Sequence, residues 1–183
     1  MRDYILNAAV CLRRNYADLP FDAMTNAETA GRVSERVMTA LERTGDSFTY
    51  LPEGSLPDDR REELAACRLI CPDHRDAVAA TLFLNLPETA GVETAGEDHL
   101  LISAYDDTGN VFQALAACQA LAALMEDTGP MARSAQFGFL TAHPCDAGTG
   151  LRASLLLHLP MTALVKQAPA AVKLAAGAGC TLR

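Results

Sequence analysis

The chain has 183 residues, 15 basic and 23 acidic side chains, a formal net charge of −8, 33 alanines and no tryptophan. This length suffices for one domain with a sizeable core. The acidic balance, with only two lysines, argues against a nucleic-acid-binding protein, because such proteins contact phosphates through clusters of basic side chains. The longest apolar run is far shorter than the roughly 18 residues that cross a bilayer, and the N-terminus lacks a signal-peptide pattern, so we expect a cytoplasmic protein.

The six cysteines stand at positions 11, 67, 71, 118, 145 and 180. In a reducing compartment, a chain that is long enough to fold without disulfides is expected to keep them as buried free thiols. The alternative is a metal site that combines Cys67 and Cys71 with His143 and Cys145. Because the Cys-x₃-Cys and His-x-Cys spacings are loose for structural zinc, we predict no metal.

The hydrophobic pattern of the first half predicts a mixture of strands and helices. In chain order these are a strand at residues 4–13, a helix from the Thr25-x-x-Glu28 capping box to about Arg43, a strand at 48–51, a charged helix at 57–66, and strands at 67–71 and 80–86. The first strand alternates, and its face with Tyr4, Leu6, Ala8, Val10 and Leu12 is expected to be buried.

The second half predicts a strand at 98–105, a helix at 109–126, a strand at 151–159 and a helix after Pro160 that Pro169 interrupts. Every odd position in the 151–159 strand is leucine or alanine, so this face is expected to join the core. The elements lack a βαβ rhythm, which favours the α+β class with a mostly antiparallel sheet flanked by helices. We expect one domain at 1–168 and a loosely ordered tail at 169–183.

Three short stretches carry side chains that are suited to chemistry. Gly96-Glu97-Asp98-His99 places two carboxylates and an imidazole at the start of a strand, and a turn-rich loop at 139–150 leads into the strand that carries Arg152. The first strand ends in Arg13-Arg14-Asn15. Each stretch also has a structural interpretation, as solvated turn residues, a bend or a paired arginine.

The string Gly148-Thr149-Gly150-Leu151-Arg152-Ala153-Ser154, followed by His158-Leu159-Pro160, resembles the ATP:guanido phosphotransferases, and most of all the bacterial protein-arginine kinases. Glu97-Asp98-His99-Leu100 is similar to the family's Asn-Glu-Glu-Asp-His segment. The stretch from Asp3 through Leu12, Arg14 and Asn15 is similar to the family's first Ser-Ser-Arg-x-Arg strand, and Leu69-Ile70 with Pro72 to its His-Leu-Ile-Ser-Pro segment. The similarity extends over about residues 3–166, which corresponds to the first half of the bacterial enzyme.

The resemblance implies a fold and a reaction. The fold is the phosphagen kinase (glutamine synthetase-like) catalytic domain in truncated form, and the reaction is transfer of the γ-phosphoryl group of Mg-ATP to a guanidino nitrogen. Matching positions make Glu97 and Arg152 the catalytic residues. Those that bind the cofactor are Arg14, His99 and Arg152, and the substrate loop consists of His143, Cys145, Asp146, Gly148, Thr149 and Gly150.

The sequence also departs from the family pattern. Ala9, Cys11 and Leu101 stand where the resemblance calls for arginine, and His143 stands where it calls for the active-site cysteine. Arg68 replaces a histidine and Gly96 replaces a glutamate. Because each lost charge-stabilising donor costs on the order of 10²–10³ in rate, we predict that normal Mg-ATP binding and kinase activity are absent.

The expected role is therefore binding or regulation, with Glu97 and Asp146 recognising a guanidinium or arginine-bearing ligand or protein. One alternative is an active kinase with a rebuilt site, in which Glu97 is the base and Arg152 holds the phosphates. Another is a fragment whose missing half restores the site. A bare sheet edge would also favour a homodimer.

Overall fold

The computed structural model describes residues 4–71 and 79–181, and it confirms the α+β class. The strands are β1 (Ile5–Arg14), β2 (Phe48–Pro52), β3 (Thr81–Asn85), β4 (Ala90–Thr94), β5 (Leu100–Asp106), β6 (Arg133–Ser134), β7 (Gly138–Phe139) and β8 (Leu151–Leu157). The helices are α1 (Ala27–Glu42), α2 (Asp58–Ala66), α3 (Val111–Glu126), α4 (Pro160–Leu164) and α5 (Ala168–Gly177). Short 3₁₀ turns occupy Glu53–Ser55 and Pro144–Asp146.

The main sheet has six strands in the order β2-β3-β4-β5-β1-β8, and every pair of adjacent strands in it is antiparallel. β6 and β7 form a separate two-stranded ribbon. In the central pairing Arg13 lies opposite Leu101, and on the other side of β1 Cys11 lies opposite Arg152. Directly opposed residues share a sheet face, so these four side chains lie on one face.

Two hydrophobic clusters cover the two faces of the sheet. The larger one joins the sheet to α1 and α3, and its buried members include Val10, Leu12, Val33, Val37, Leu100, Ile102, Cys118 and Met125. The smaller one lies around Leu64, Leu69, Ile70, Leu82 and Leu84. Burial of the apolar side chains in these two clusters is the main stabilising contribution to the fold.

The two long helices begin at asparagine caps. The Asn26 side chain accepts hydrogen bonds from the main-chain N–H groups of Glu28 and Thr29, so the predicted cap at Thr25 is wrong by one residue. Asn110 accepts in the same way from the Gln113 N–H at the start of α3. An asparagine oxygen is as good a cap as a threonine hydroxyl, and so sequence spacing alone did not separate the two.

One predicted strand is absent, and one strand of the structure was not predicted. Residues 67–71 form turns and bends, because Arg68 adopts a positive φ of 61° directly after α2 and turns the chain so that Leu69 and Ile70 enter the smaller cluster. β4 was not predicted, since Gly91 interrupts its apolar pattern. That glycine is needed there because an added Cβ would come within 2.6 Å of the Phe83 carbonyl oxygen.

Burial along the outer strands also differs from the prediction. Tyr4 and Leu6 are exposed at the start of the first strand, whereas Ala8, Val10 and Leu12 are buried as predicted. β8 forms as predicted, but its leucines are exposed rather than part of the core. The reason is position: β8 is the edge strand, and α3 packs mainly over β1 and β5.

The C-terminal region contains two helices, α4 and α5. Pro169 does not interrupt a helix but lies in the first turn of α5, where its missing N–H costs nothing. The helix therefore occupies part of the stretch that was predicted to be a loosely ordered tail, and none of its residues is buried. In the described residues, no helix combines the length and apolarity that crossing a membrane requires.

All six cysteines are unpaired thiols, as predicted. Their predicted burial is confirmed for Cys118, where burial raises the pKa of the thiol to about 12. It is wrong for Cys145 and Cys180, which are exposed.

Candidate functional site

Three separated segments meet at the end of β1. They are the end of β1 itself with Asn15, the turn before β5 that carries Glu97, Asp98 and His99, and the loop after β7 that carries His143 and Asp146. The antiparallel pairing of β1 with β5 explains the first contact, because Arg13 opposite Leu101 sets Asn15 beside Asp98 and His99. We call Arg13, Glu97, Asp98, His143, Asp146 and Arg152 the carboxylate cluster.

Asp98 is the buried centre of this cluster, with 2% of its surface exposed. One carboxylate oxygen accepts a hydrogen bond from the Asn15 side-chain amide at 2.5 Å and another from the Ala142 N–H at 2.8 Å. The other oxygen accepts from Nη1 of Arg13 at 3.2 Å. Asp98 therefore fixes the loop that carries His143 against the end of β1.

Arg13 contacts three carboxylates, two in the turn before β5 and one in the loop after β7. Besides Asp98, its Nε lies 3.3 Å from an oxygen of Asp146, and its Nη1 lies 3.9 Å from an oxygen of Glu97. Burial alone would lower the pKa of Arg13, but the hydrogen bond and negative charge of Asp98, together with the charge of Asp146, outweigh burial and raise it. The guanidinium group is therefore firmly cationic and is neutralised by its acidic neighbours.

Glu97 and His143 form the accessible part of the cluster. Nε2 of His143 lies 2.9 Å from Oε2 of Glu97, and their side chains are 53% and 35% exposed, respectively. His143 thus occupies the place beside the predicted catalytic carboxylate where the resemblance calls for a cysteine. A carboxylate and an imidazole at this distance can share or exchange a proton.

Asp146 links the two arginines of the cluster. Its two oxygens accept hydrogen bonds from Nη2 of Arg152 at 3.0 and 3.2 Å, while one of them also contacts Arg13. The 3₁₀ turn Pro144–Asp146 holds this carboxylate in place. Two guanidinium groups already bind Asp146, so its capacity for a further cation is low.

The sheet face around the cluster carries uncharged side chains at the positions where the resemblance calls for arginine. Ala9 and Leu101 are buried at 3% and 6% exposure, and Cys11 is half-buried with its thiol pKa raised by burial. A triphosphate needs several unpaired guanidinium groups around it. Both arginines of the cluster are bound to carboxylates within the described residues.

Two predicted cofactor residues lie outside the cluster. Nδ1 of His99 accepts a hydrogen bond from the Tyr16 N–H, and its Nε2 lies 2.7 Å from the Pro20 carbonyl oxygen. The ring is thus enclosed by main-chain partners, and burial lowers its pKa. Arg14 follows Arg13 and therefore lies on the opposite sheet face, against Phe139. Of the three predicted cofactor residues, only Arg152 joins the cluster.

The other residues of the predicted substrate loop lie outside the carboxylate cluster, and the two glycines set the path of the loop backbone. Cys145 is exposed, and Thr149 offers its carbonyl oxygen to Arg14. Gly148 and Gly150 have positive φ values of 110° and 61°. A Cβ at Gly150 would meet the Arg13 carbonyl oxygen at 2.6 Å, so glycine is required where the loop crosses β1.

The sequence analysis placed Arg13, Asn15 and Asp98 in stretches suited to chemistry but assigned none of them a role in the site. Strand alternation could have found Arg13, because it shares a face with Cys11. No short-range signal marks the contact between Asn15 and Asp98, which are 83 positions apart. Within the described residues, no group of three or more His, Cys, Asp or Glu side chains could hold a metal ion.

Comparison with known proteins gives consistent matches. Residues 31–183 match the family model described as the ATP:guanido phosphotransferase C-terminal catalytic domain. The chain is 32% identical over 161 residues to a protein-arginine kinase of Halothermothrix orenii, covering 87% of this chain and 46% of that protein. It is 31% identical over 158 residues to one of Exiguobacterium sp., covering 86% and 45%. The chain thus spans about half the length of these relatives.

Solved structures show the same fold. The duplicated taurocyamine kinase of Schistosoma mansoni superimposes with a TM-score of 0.74 at 23% identity, covering 91% of this chain and 25% of that one. A lombricine kinase superimposes with a TM-score of 0.69 at 22% identity, covering 87% and 49%. The predicted α+β fold, a mostly antiparallel sheet flanked by helices, therefore matches that of phosphagen kinases.

Proposed function

This chain belongs to the ATP:guanido phosphotransferase family, and we propose that it binds a guanidinium-bearing ligand without transferring a phosphoryl group to it. The observation that carries the proposal is the neutralisation of both arginines in the carboxylate cluster: Arg13 by Asp98 and Asp146, and Arg152 by Asp146. Arg13 is buried in these contacts and is not available to a triphosphate, while Arg152 reaches one only by leaving Asp146. The cluster instead presents Glu97 at an accessible position.

The magnitude of the loss supports this proposal. A preorganised donor that stabilises developing charge is worth on the order of 10²–10³ in rate, and Ala9, Cys11 and Leu101 each lack one that the family pattern calls for. Even with strong non-additivity between such groups, little phosphoryl transfer is expected to remain.

Ligand recognition is assigned to Glu97 rather than to Asp146. Asp146 already binds two guanidinium groups and is mostly enclosed, with 14% of its side chain exposed. Glu97 is 35% exposed and lies beside the ring of His143. A planar guanidinium group pairs well with a carboxylate through two parallel hydrogen bonds, so an arginine side chain is the natural ligand class.

The nucleotide part of the proposal is tested by calorimetric titration with Mg-ADP. We expect no saturable heat of binding with this chain. The protein-arginine kinase of Halothermothrix orenii, titrated in the same way, serves as the comparison protein. Binding of Mg-ADP in the micromolar range would overturn the proposal.

The ligand part is tested by following His143 ring signals by NMR during titration with methylguanidinium. We expect a saturable shift that Glu97→Gln removes, because the amide retains the shape but not the charge. Glu28→Gln is the matched control, since Glu28 is an exposed carboxylate at the start of α1. An unchanged shift in Glu97→Gln would refute the assignment to Glu97.

A second function, an active guanidino kinase with a rebuilt site, is favoured by one observation. The 2.9 Å contact between Glu97 and His143 makes an acid–base pair where the reaction would need a base. This alternative predicts phosphoarginine formation from Mg-ATP and arginine or arginine-rich protein, detected by ³¹P NMR and abolished in Glu97→Gln. Absence of turnover in the unsubstituted chain would eliminate it.

A further inference from the structure

A separate cavity of about 450 Å³ lies on the face of β1 opposite Arg13. It is partly open to solvent and is lined by the end of β1, by α3, by the β6–β7 ribbon and by the loop that leads into β8. Its size falls within the roughly 300–1,000 Å³ that is typical of small-molecule sites. Glu97 and the rest of the carboxylate cluster take no part in its walls.

Arg14 is the unusual residue of this cavity. Only 6% of it is exposed, and its Nη1 donates to the carbonyl oxygens of Arg13 and Thr149. Its buried Nε finds no hydrogen-bond partner, and no carboxylate within the described ranges forms an ion pair with it. Burial lowers the pKa of Arg14. Buried cations are ordinarily paired with an anion, whereas Arg14 is influenced by the negative charge of Glu126 but forms no ion pair with it.

A second arginine adds to the positive charge. The guanidinium carbon atoms of Arg14 and Arg133 lie 3.5 and 4.0 Å from the centre of the Phe139 ring, so both cations contact one aromatic side chain. Arg133 has a surface ion pair with Glu126 at 2.9 Å. Two cations and one acidic partner leave a net positive charge at the cavity.

The remaining walls are apolar or uncharged. Leu12, Leu115 and Leu151 form the apolar part, while Gln119 lies at the exposed surface of α3. A cavity lined by two cations and three leucines matches a ligand that has one charged end and one apolar end.

We propose that this cavity binds a small organic anion, with a carboxylate or phosphate group held by Arg14 and Arg133 and an apolar body packed against the three leucines. The proposal is independent of the function proposed for Glu97, because the two sites lie on opposite faces of β1. Binding gives Arg14 a directly paired anion, which it does not have within the described residues, where the charge of Glu126 acts on it without an ion pair.

Phenyl phosphate is the probe, used with the full chain in calorimetric and thermal-unfolding titrations. We expect saturable binding with a dissociation constant below about 1 mM and a rise in Tm, because the ligand binds the folded state. Inorganic phosphate and phenol, which carry only one end of the probe, should each bind at least about tenfold more weakly. Benzoate distinguishes a preference for carboxylate from one for phosphate. No saturable binding of either phenyl phosphate or benzoate would overturn the proposal.

Substitutions locate the binding. Arg133→Gln should weaken binding about tenfold or more through loss of a charge-assisted contact, whereas Arg32→Gln, an exposed arginine on α1, should not change it. Gln119→Trp fills the mouth of the cavity and should abolish binding. Glu97→Gln should leave binding intact, which separates this test from that of the proposed function. Equal binding by the Arg133 and Arg32 variants, or full binding by Gln119→Trp, would refute the site.

Discussion

Arg13 and Arg152 both bind Asp146, but they differ in burial. Arg13 also neutralises Asp98, which is almost completely buried, whereas the Arg152 side chain is 48% exposed. Removing one partner of a buried ion pair leaves an uncompensated charge, while an exposed pair contributes little. Ion pairs of similar appearance therefore have unequal effects on stability.

We expect Arg13→Met to lower the free energy of unfolding by about 3 kcal/mol, since Asp98 keeps two neutral donors but loses its cation. Arg152→Met should lower it by at most about 1 kcal/mol. Urea denaturation at neutral pH measures both values. Equal losses in the two variants would show that the burial of Asp98 does not control the contribution of Arg13.

His99 gives the stability a pH dependence of known sign. Burial holds the pKa of this ring below its usual 6.5, although its hydrogen bond to the Pro20 carbonyl oxygen opposes the shift. The unfolded chain therefore takes up a proton below about pH 6.5 that the folded chain resists. The His99 contribution is retained above that pH and is lost as the pH falls.

The measurement compares urea unfolding of His99→Gln and His158→Gln between pH 7 and pH 5. We expect a flatter decline toward acid in the His99 variant, and an unchanged slope in the control because His158 is exposed. The same slope in both variants would contradict the assignment.

At the level of strands and helices, the contact of the Glu53–Ser55 turn with α2 and β4 includes a buried acid. Glu53 accepts a hydrogen bond from Nη1 of Arg61 at 2.9 Å, yet burial and the nearby charge of Glu93 raise its pKa to about 7. Because the pKa of Glu53 is higher in the folded chain than in the unfolded chain, its contribution to the free energy of unfolding is complete below about pH 4.5 and is lost as the pH rises toward 7.

Glu53→Gln should remove this dependence, which amounts to a few kcal/mol at most between pH 4.5 and pH 7. We expect the variant to lose less stability than the unsubstituted chain as the pH is raised through this range, measured by thermal unfolding. Glu88→Gln is the control, since Glu88 is an exposed partner of Arg60. Parallel stability curves for all three proteins would contradict the role of Glu53.

The sequence was informative where local rules decide the structure. Alternation and capping patterns predict β1, α1 and α3 to within a few residues, because strand period and helix ends depend on near neighbours. These patterns do not predict that the leucines of β8 are exposed, because their exposure depends on how far α3 extends across the sheet. Nor do they predict the pairing of Asn15 with Asp98, which depends on strand register.

For the molecule as a whole, the outer edge of β8 combines main-chain groups that are unpaired within the described residues with several exposed leucines. Leu155, Leu156 and Leu157 are 41–51% exposed, and the strand carries one charged residue, Arg152. Unpaired main-chain groups on such an edge favour pairing with another strand. In a two-fold antiparallel pairing centred on Ser154, each Arg152 meets a leucine rather than another arginine, so no like charges oppose association.

We therefore expect the 183-residue chain to self-associate through β8 as its concentration rises, and Leu156→Lys to reduce this, because a lysine on an edge strand disfavours pairing. Leu86→Lys is the control, since that leucine is 65% exposed and lies outside the strands. Sedimentation velocity over a concentration series measures the effect. If the unsubstituted chain stays monomeric, or if both lysine variants behave alike, then β8 is not the surface through which copies associate.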